Sequence, residues 1–181
     1  MRTMSRRSSA TRRPRFKATP VTGGATATRE VQALLRALAA GRDVVEMGAA
    51  FGETAAVLAE TARSVVTVER DPERVAVARE RLAGLANVAL LEGDVYEQLR
   101  GRGPFGLVFV DGGLRQGDRE ANWEAILALT EPGSLIVKDD LTPGRPVEGD
   151  DVREFLLRDP RLAAAELLAS PEMAVIVAVR R

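Results

Sequence analysis

Residues 44–54 have the sequence VVEMGAAFGET, in which a short apolar run leads into two glycines and then into a segment rich in Ala and Leu. This order is typical of a buried parallel strand that turns into a helix, and glycines at such a turn let the backbone come close to a ligand. The glycines are spaced Gly-x-x-x-Gly behind the carboxylate of Glu46, which is not the dinucleotide pattern GxGxxG. An acid here would repel a diphosphate, whereas it suits a ligand with a cationic end.

The flanking sequence predicts the rest of a sheet. Short apolar runs bounded by turns predict strands over residues 43–47, 64–69, 87–91, 107–110 and 134–137. Apolar periodicity predicts helices between them, for example over residues 71–82 and 151–158. Two further strand-like runs, 162–168 and 173–179, have no helix between them, so the last strand must run antiparallel. We therefore expect an α/β fold: a single Rossmann-like doubly wound sheet of about seven strands, mostly parallel with the last strand antiparallel.

Length and composition limit the possible functions. The chain has 181 residues, 45% hydrophobic and 29% charged, which is typical of one globular domain. It contains neither Cys nor His, which excludes thiolate nucleophiles, Ser-His-Asp triads and the usual zinc sites. No apolar run approaches the roughly 20 residues that a membrane helix needs, so we expect a cytoplasmic protein without membrane contact. Any chemistry must use oxygen ligands, carboxylates or a bound cofactor.

The formal net charge of zero hides an asymmetry. Residues 1–20 carry seven basic and no acidic residues, which leaves residues 21–181 with 19 basic and 26 acidic ones. We expect residues 1–20 to form a disordered basic arm and residues 21–181 to form the folded domain. The preferred interpretation of the arm is a solvated tail, and the alternative is contact with nucleic acid.

Acids follow four of the predicted strands at the same edge of the sheet. Glu46 and Glu69 close the first and second strands, Asp94 follows the third and Asp111 ends the fourth. Glu69 lies 21 residues after Gly48, at about the distance where an acid binds ribose hydroxyls in nucleotide-binding sheets. Each acid alone could be an ordinary strand-end residue, and Asp94 could simply be a helix N-cap.

The stretch from Glu46 to Gly52, together with Glu69, Asp94 and the strand end at Asp111, resembles the successive motifs of class I S-adenosylmethionine-dependent methyltransferases. The resemblance covers roughly residues 25–181. It implies that the glycine loop passes under the methionine moiety, with Glu46 near the amino group, and that Glu69 holds the ribose hydroxyls. Asp94 and the amide of Val95 would recognise adenine. The implied cofactor-binding residues are Glu46, Gly48, Ala49, Ala50, Gly52, Thr54, Glu69, Arg70, Asp94, Val95 and Asp111.

Three carboxylates should meet at the ends of the fourth and fifth strands: Asp111, Asp139 and Asp140. Hard oxygen ligands of this kind suit Mg²⁺ or another divalent cation, which lowers the pKa of a coordinated hydroxyl. The constellation resembles the metal-dependent O-methyltransferases of the catechol and caffeoyl-coenzyme A type and related bacterial proteins. This implies that all three residues bind metal and that Asp111 and Asp139 are catalytic. The alternative is that residues 139–140 only form a turn that ends the strand.

One departure from the catechol enzymes concerns the base. They place a lysine three residues after the first aspartate, where this chain has Leu114, and the neighbouring Arg115 cannot act as a base. The only lysine of the predicted domain is Lys138, and strand alternation predicts that it points away from Asp139.

The resulting expectation is an enzyme that moves a methyl group from S-adenosylmethionine to a hydroxyl of a small-molecule acceptor, with or without a divalent cation. The alternatives are an RNA methyltransferase that uses the basic arm and a non-catalytic nucleotide-binding domain. Residues 142–150 have the composition of a mobile flap, and Trp123 either walls the acceptor pocket or packs in the core. Because no substrate-binding insertion is present, the basic arm or a second subunit of a homodimer would complete the lid.

Overall fold

The computed structural model describes residues 26–112, 114 and 118–181. The predicted basic arm and Arg115 lie outside these residues, as does any lid that the arm would form. The elements are α1 (Arg29–Ala39), β1 (Asp43–Met47), α2 (Glu53–Ala59), β2 (Ser64–Glu69), α3 (Pro72–Leu82), β3 (Val88–Glu92), α4 (Val95–Gln98), β4 (Leu107–Val110), α5 (Arg119–Ala128), β5 (Leu135–Leu141), α6 (Asp151–Arg158), β6 (Leu162–Ser170) and β7 (Met173–Arg180).

The strands of the described chain form one seven-stranded sheet in the order β3-β2-β1-β4-β5-β7-β6. Strands β1 to β5 are parallel to one another, and β7 runs antiparallel to both β5 and β6. The link between β6 and β7 is too short for a crossover, and Ser170 pairs with Met173 across it. The predicted α/β fold with an antiparallel last strand is therefore confirmed.

Helices cover both faces of the sheet, and strand alternation divides the core between the two faces. In β4, Val108 and Phe109 are both fully buried, but they belong to different apolar clusters. The cluster around Phe109 includes side chains of α1, α2 and α3, and the cluster around Val108 includes side chains of α5 and α6. Trp123 lies in the latter, with its ring stacked on that of Phe155 at a centroid distance of 4.5 Å. Trp123 is only 4% exposed, so it packs in the core, which is one of the two roles predicted for it.

The fifth strand is longer than the sequence suggested. The predicted strand ends at residue 137, whereas β5 continues through the acidic pair to Leu141. Antiparallel pairing with β7 extends it, since Lys138 pairs with Ile176 and Leu141 with Ala174. The register shifts between these pairs, and Asp140 adopts a left-handed conformation with φ of 57°. The interpretation of residues 139–140 as a turn after the strand is therefore wrong, because backbone pairing continues where the apolar pattern stops.

Candidate active site

The loop between β1 and α2 is held close to the neighbouring strand ends. The amides of Gly48 and Ala49 both donate to the carbonyl of Val68, at 3.1 and 2.9 Å. Gly48 has φ of 106°, and a Cβ there would lie 3.2 Å from the amide nitrogen of Gly112. A side chain at position 48 is therefore disfavoured both by conformation and by contact with the backbone that follows β4.

Glu69 fixes the middle of this loop. Its Oε2 accepts a hydrogen bond from the amide of Ala50 at 2.9 Å, and its Oε1 accepts from the amides of Arg70 and Asp71 at 2.9 and 3.0 Å. Ala50 has a positive φ of 45°, a conformation that is costly for a residue other than glycine. The buried carboxylate thus ties the strained loop to the end of β2 and the start of α3. The sequence predicted that Glu69 lies beside the loop, and its contact with ribose stays a prediction.

Glu46 is a buried acid whose hydrogen bonding is incomplete. Its Oε2 accepts a hydrogen bond of 2.5 Å from the hydroxyl of Thr67, whereas its Oε1 has no partner among the described residues. Burial raises the pKa of Glu46 to about 8, against the lowering effect of Thr67, and the charges of Asp111, Asp139 and Glu69 raise it further. A buried carboxyl with an unpartnered oxygen fits a ligand that carries an ammonium group.

Gly52 allows helix packing at the end of the loop. It is the left-handed N-cap of α2, with φ of 78°. A Cβ there would lie 3.2 Å from Cγ of Leu82 and 3.3 Å from Cα of Ala78, both on α3. Of the other predicted cofactor residues nearby, Thr54 is buried in the first turn of α2 and Arg70 is exposed. Their contacts with a cofactor stay predictions.

Asp94 caps the short helix α4. Its Oδ1 accepts from the amides of Tyr96 and Glu97, at 3.0 and 3.2 Å. The N-cap interpretation is therefore confirmed, and recognition of adenine by Asp94 and Val95 stays a prediction. A cavity of about 400 Å³ lies next to α4, with Met47, Val95 and Tyr96 in its wall and α5 on its opposite side. Its size is in the range of small-molecule sites.

The predicted triad does come together at this edge. Asp111, Asp139 and Asp140 each offer a carboxylate oxygen, and these oxygens all lie within 4.8 Å of one another. Asp139 is fully buried, and neither of its carboxylate oxygens has a hydrogen-bond partner among the described residues. Burial raises the pKa of Asp111 to about 6 and that of Asp139 to about 7, and the neighbouring acids add to both shifts while Lys138 opposes them. The donor set and the unsatisfied buried oxygens fit a hard divalent cation.

The prediction that Lys138 points away from Asp139 is wrong. The Lys138 Nζ donates to the backbone carbonyl of Asp139 at 2.7 Å and lies 3.5 Å from its Oδ1. The register shift after Lys138 interrupts the regular alternation of side chains on which the prediction relied. The described part of the chain therefore has an ammonium group at the triad, while Leu114 packs against the apolar core and offers no base.

Sequence reasoning missed Arg153, which is fully buried in α6. Its guanidinium donates to both carboxylate oxygens of Glu166 on β6, to the carboxylate of Asp150 and to the carbonyl of Thr142. The last two partners are the ends of the loop that the sequence predicted as a mobile flap, so Arg153 anchors both of its ends. A possible signal was the spacing of Asp150, Arg153 and Leu156, which places Arg153 on the same helical face as a core residue.

Comparison with known proteins agrees with this geometry. A family model described as a methyltransferase domain matches residues 45–141, which is more than half of the chain. The chain therefore belongs to this family of methyltransferase domains, within the class I S-adenosylmethionine-dependent methyltransferases. The assignment from sequence motifs is confirmed.

Two curated relatives are named protein-L-isoaspartate O-methyltransferase. The protein from Azorhizobium caulinodans is 31% identical over 134 residues, and that from Rhodopseudomonas palustris is 33% identical over 126 residues. The matches cover 73% and 68% of this chain but only 58% and 52% of the relatives. The chain thus spans little more than half the length of the curated relatives that it matches.

Solved structures share the fold. Cofactor-bound Rv0187 from MTB superposes with a TM-score of 0.72 at 26% identity, and the match covers 86% of this chain and 82% of that one. The O-methyltransferase from Bacillus cereus in complex with SAH gives a TM-score of 0.65 at 23% identity, over 93% and 84% of the two chains. In the described part of the chain, no helix is both long and apolar enough to cross a membrane.

Proposed function

We propose that the chain transfers a methyl group from S-adenosylmethionine to an oxygen of a small-molecule acceptor, at a site that holds a divalent cation. The observation that carries this proposal is the carboxylate triad beside the glycine loop. Its central member, Asp139, is fully buried, and neither carboxylate oxygen accepts a hydrogen bond among the described residues. Its ion pair with Lys138, at 3.5 Å, leaves both oxygens without the hydrogen bonds that a buried carboxylate needs, so they are available to a further cation.

The glycine loop and Glu46 would hold the methionine end of the cofactor. Glu46 offers its unpartnered Oε1 to the amino group, and the tight turn at Gly48 leaves the backbone without a side chain in the way. Glu69 holds the loop in place through the amide of Ala50. Methyl transfer is an in-line displacement at the sulfonium carbon, so this fixed position of the cofactor supplies much of the required alignment.

The triad would serve the acceptor. Asp111, Asp139 and Asp140 would hold Mg²⁺ or a similar ion, which when bound lowers the pKa of a coordinated hydroxyl. The chain has no histidine to take the proton of the acceptor. Burial raises the pKa of Asp111 and Asp139 to about 6 and 7 in the metal-free site, and a bound cation would lower both, so these acids would act as ligands of the ion.

A second candidate acceptor is the carboxylate of an isoaspartyl peptide, which the names of the two curated relatives favour. Such an acceptor is an anion and would be repelled by the triad unless a cation neutralises it. Both candidates therefore depend on a divalent ion, and the acceptor that is methylated distinguishes them. An acceptor screen with a catechol, an isoaspartyl peptide and an RNA, each with and without Mg²⁺, separates them.

Cofactor binding is tested by thermal shift with S-adenosylmethionine, S-adenosylhomocysteine and NAD. A ligand present at 100 times its Kd adds about 2.7 kcal/mol to the stability. We expect stabilisation by the first two ligands and none by NAD. If neither of the first two stabilises the protein, the methyl-transfer proposal fails.

Asp139→Asn tests the triad. We expect it to keep S-adenosylhomocysteine binding, to lose Mn²⁺ binding and to slow methyl transfer by about 10²- to 10⁴-fold, the range for losing help with removal of the acceptor proton. Asp151→Asn is a matched control, because this exposed acid lies in the first turn of α6. Full activity of Asp139→Asn would contradict the proposed role of the triad.

A further inference from the structure

Lys138 occupies an unusual position for a lysine. It is the only lysine in residues 18–181, and its side chain is only 11% exposed. Its hydrogen bond to the carbonyl of Asp139 keeps the ammonium group close to the carboxylate of the same residue. The register of β5 shifts after Lys138, and this irregularity of the backbone lets the side chain of Lys138 turn toward Asp139.

The charge of Lys138 acts on two of the three acids of the triad. It acts on both Asp111 and Asp139, and Asp111, Asp139 and Asp140 in turn repel one another. Among the described residues, neither carboxylate oxygen of Asp139 has a hydrogen-bond partner, and the ammonium group 3.5 Å away is an oppositely charged group that offsets its burial. A paired buried charge costs far less than an unpaired one.

We propose that Lys138 is a tethered counter-cation of the triad, which competes with the divalent ion for Asp139 and thereby keeps the affinity of the site low. The inference rests on the proposed function, since it concerns the same triad. An ion that binds Asp139 must approach the ammonium group, and like charges in a partly buried site repel strongly. In the absence of the ion, the ammonium takes its place as the positive partner of Asp139.

The test is a titration of the full chain with Mn²⁺ alone, followed by the electron paramagnetic resonance signal of the free ion. Lys138→Met removes the charge and keeps an apolar stem of similar length, so we expect it to bind Mn²⁺ at least about tenfold more tightly. Lys138→Arg keeps the charge and should therefore bind Mn²⁺ more weakly than Lys138→Met does. Arg36→Met is a matched loss of one positive charge from an exposed ion pair, with Glu60, and should have no effect.

Equal or weaker binding of Mn²⁺ by Lys138→Met would overturn the inference, and so would an absence of binding in both this variant and the wild type. Because Lys138→Met could fold poorly, urea unfolding of Lys138→Gln with and without Mn²⁺ gives a second measure. Mn²⁺ should stabilise Lys138→Gln more than the wild type, and an equal or smaller effect would also overturn the inference. Titration of the same proteins with S-adenosylhomocysteine keeps the two proposals separate. If they bind S-adenosylhomocysteine but not Mn²⁺, the result contradicts the cation site and the role of Lys138, and leaves the proposed cofactor site standing.

Discussion

Substitution of Glu46 by Gln tests whether this acid holds the amino group of the cofactor. Burial raises the pKa of Glu46 to about 8, so the free protein keeps a proton on this carboxyl at pH 7. An ammonium group placed beside it favours the carboxylate and expels that proton. Because pH 7 lies below this pKa, binding of S-adenosylhomocysteine at pH 7 should release most of one proton from Glu46. Glu46→Gln removes this contribution.

Because ligand binding requires Glu46 to ionise, the pH also sets how much Glu46→Gln lowers the affinity for the ligand. A hydrogen bond between charged groups contributes about 1.5–3 kcal/mol. Ionising Glu46 costs about 2.7 kcal/mol at pH 6, two units below its pKa, but only about 0.4 kcal/mol at pH 8. We therefore expect Glu46→Gln to bind the ligand almost as well as the wild type at pH 6. At pH 8 the variant should bind it roughly tenfold more weakly or worse.

Isothermal titration calorimetry in buffers with different ionisation enthalpies measures the number of protons released. Asp111 and Asp139 also have raised pKa values and could contribute, so the informative quantity is the difference between the wild type and Glu46→Gln. Thr67→Val is the matched variant: it removes the hydroxyl that lowers the pKa of Glu46, so proton release should move closer to one. If Glu46→Gln releases as many protons as the wild type, the amino group does not lie at Glu46.

Stability without ligand gives an independent measurement on the same variant. The pKa of Glu46 lies well above the ordinary glutamate value of about 4.5, so the native state holds a proton that the unfolded chain releases. The contribution of this proton to the free energy of unfolding is therefore fully present below about pH 4.5 and is lost as the pH rises toward 8, by an amount on the order of a few kcal/mol. Urea unfolding should show this decline, and Glu46→Gln should reduce it. An unchanged pH dependence would contradict the burial effect at Glu46.

Two further substitutions test the supports of the site by urea unfolding. Gly52→Ala should lower the free energy of unfolding more than Gly84→Ala does. Both glycines have a positive φ, which costs a residue with a side chain about 1–2 kcal/mol, but only at position 52 does the new Cβ meet the side chain of Leu82. Equal costs would show that α2 can shift away from α3. Arg153→Met should lower the stability by about 3–5 kcal/mol because it leaves acids without their buried partner, whereas Arg158→Met, which breaks an exposed ion pair, should cost about 1 kcal/mol or less. If Arg153→Met lowers the stability by only about 1 kcal/mol or less, the acids that pair with Arg153 are well solvated.

The sequence predicted the fold well where one physical signal was sufficient. Strands β1, β2 and β4 have the predicted bounds, because an apolar run limited by turn residues specifies a buried parallel strand. The antiparallel end followed from the length of one connection. Strand β5 was predicted too short, since its last residues are polar and are extended by pairing with β7, a partner about 35 residues away that no local pattern identifies.

The acids of the site were predictable for a different reason. Parallel strands end at the same edge, so acids that follow neighbouring strands must be close together, and the triad confirms this. What each acid does there depends on atoms that sequence spacing does not position. Asp94 and Glu69 both accept hydrogen bonds from backbone amides, yet Glu46 has an oxygen without a partner among the described residues. Such differences decide which acid can receive a ligand, and only the hydrogen bonds of the folded chain reveal them.

Two buried cations show where pattern rules fail: the direction of Lys138 was predicted wrongly, and Arg153 was missed. Alternation places the side chain of Lys138 on the opposite face from Asp139, but this rule assumes a regular strand, and a register shift begins at Lys138. Arg153 is charged, so a rule based on hydrophobicity places it in solvent, yet two carboxylates and a carbonyl make its burial favourable. In both cases an acid-rich region supplies the partners. A cation flanked by acids in the sequence is thus best examined for burial before it is assigned to the surface.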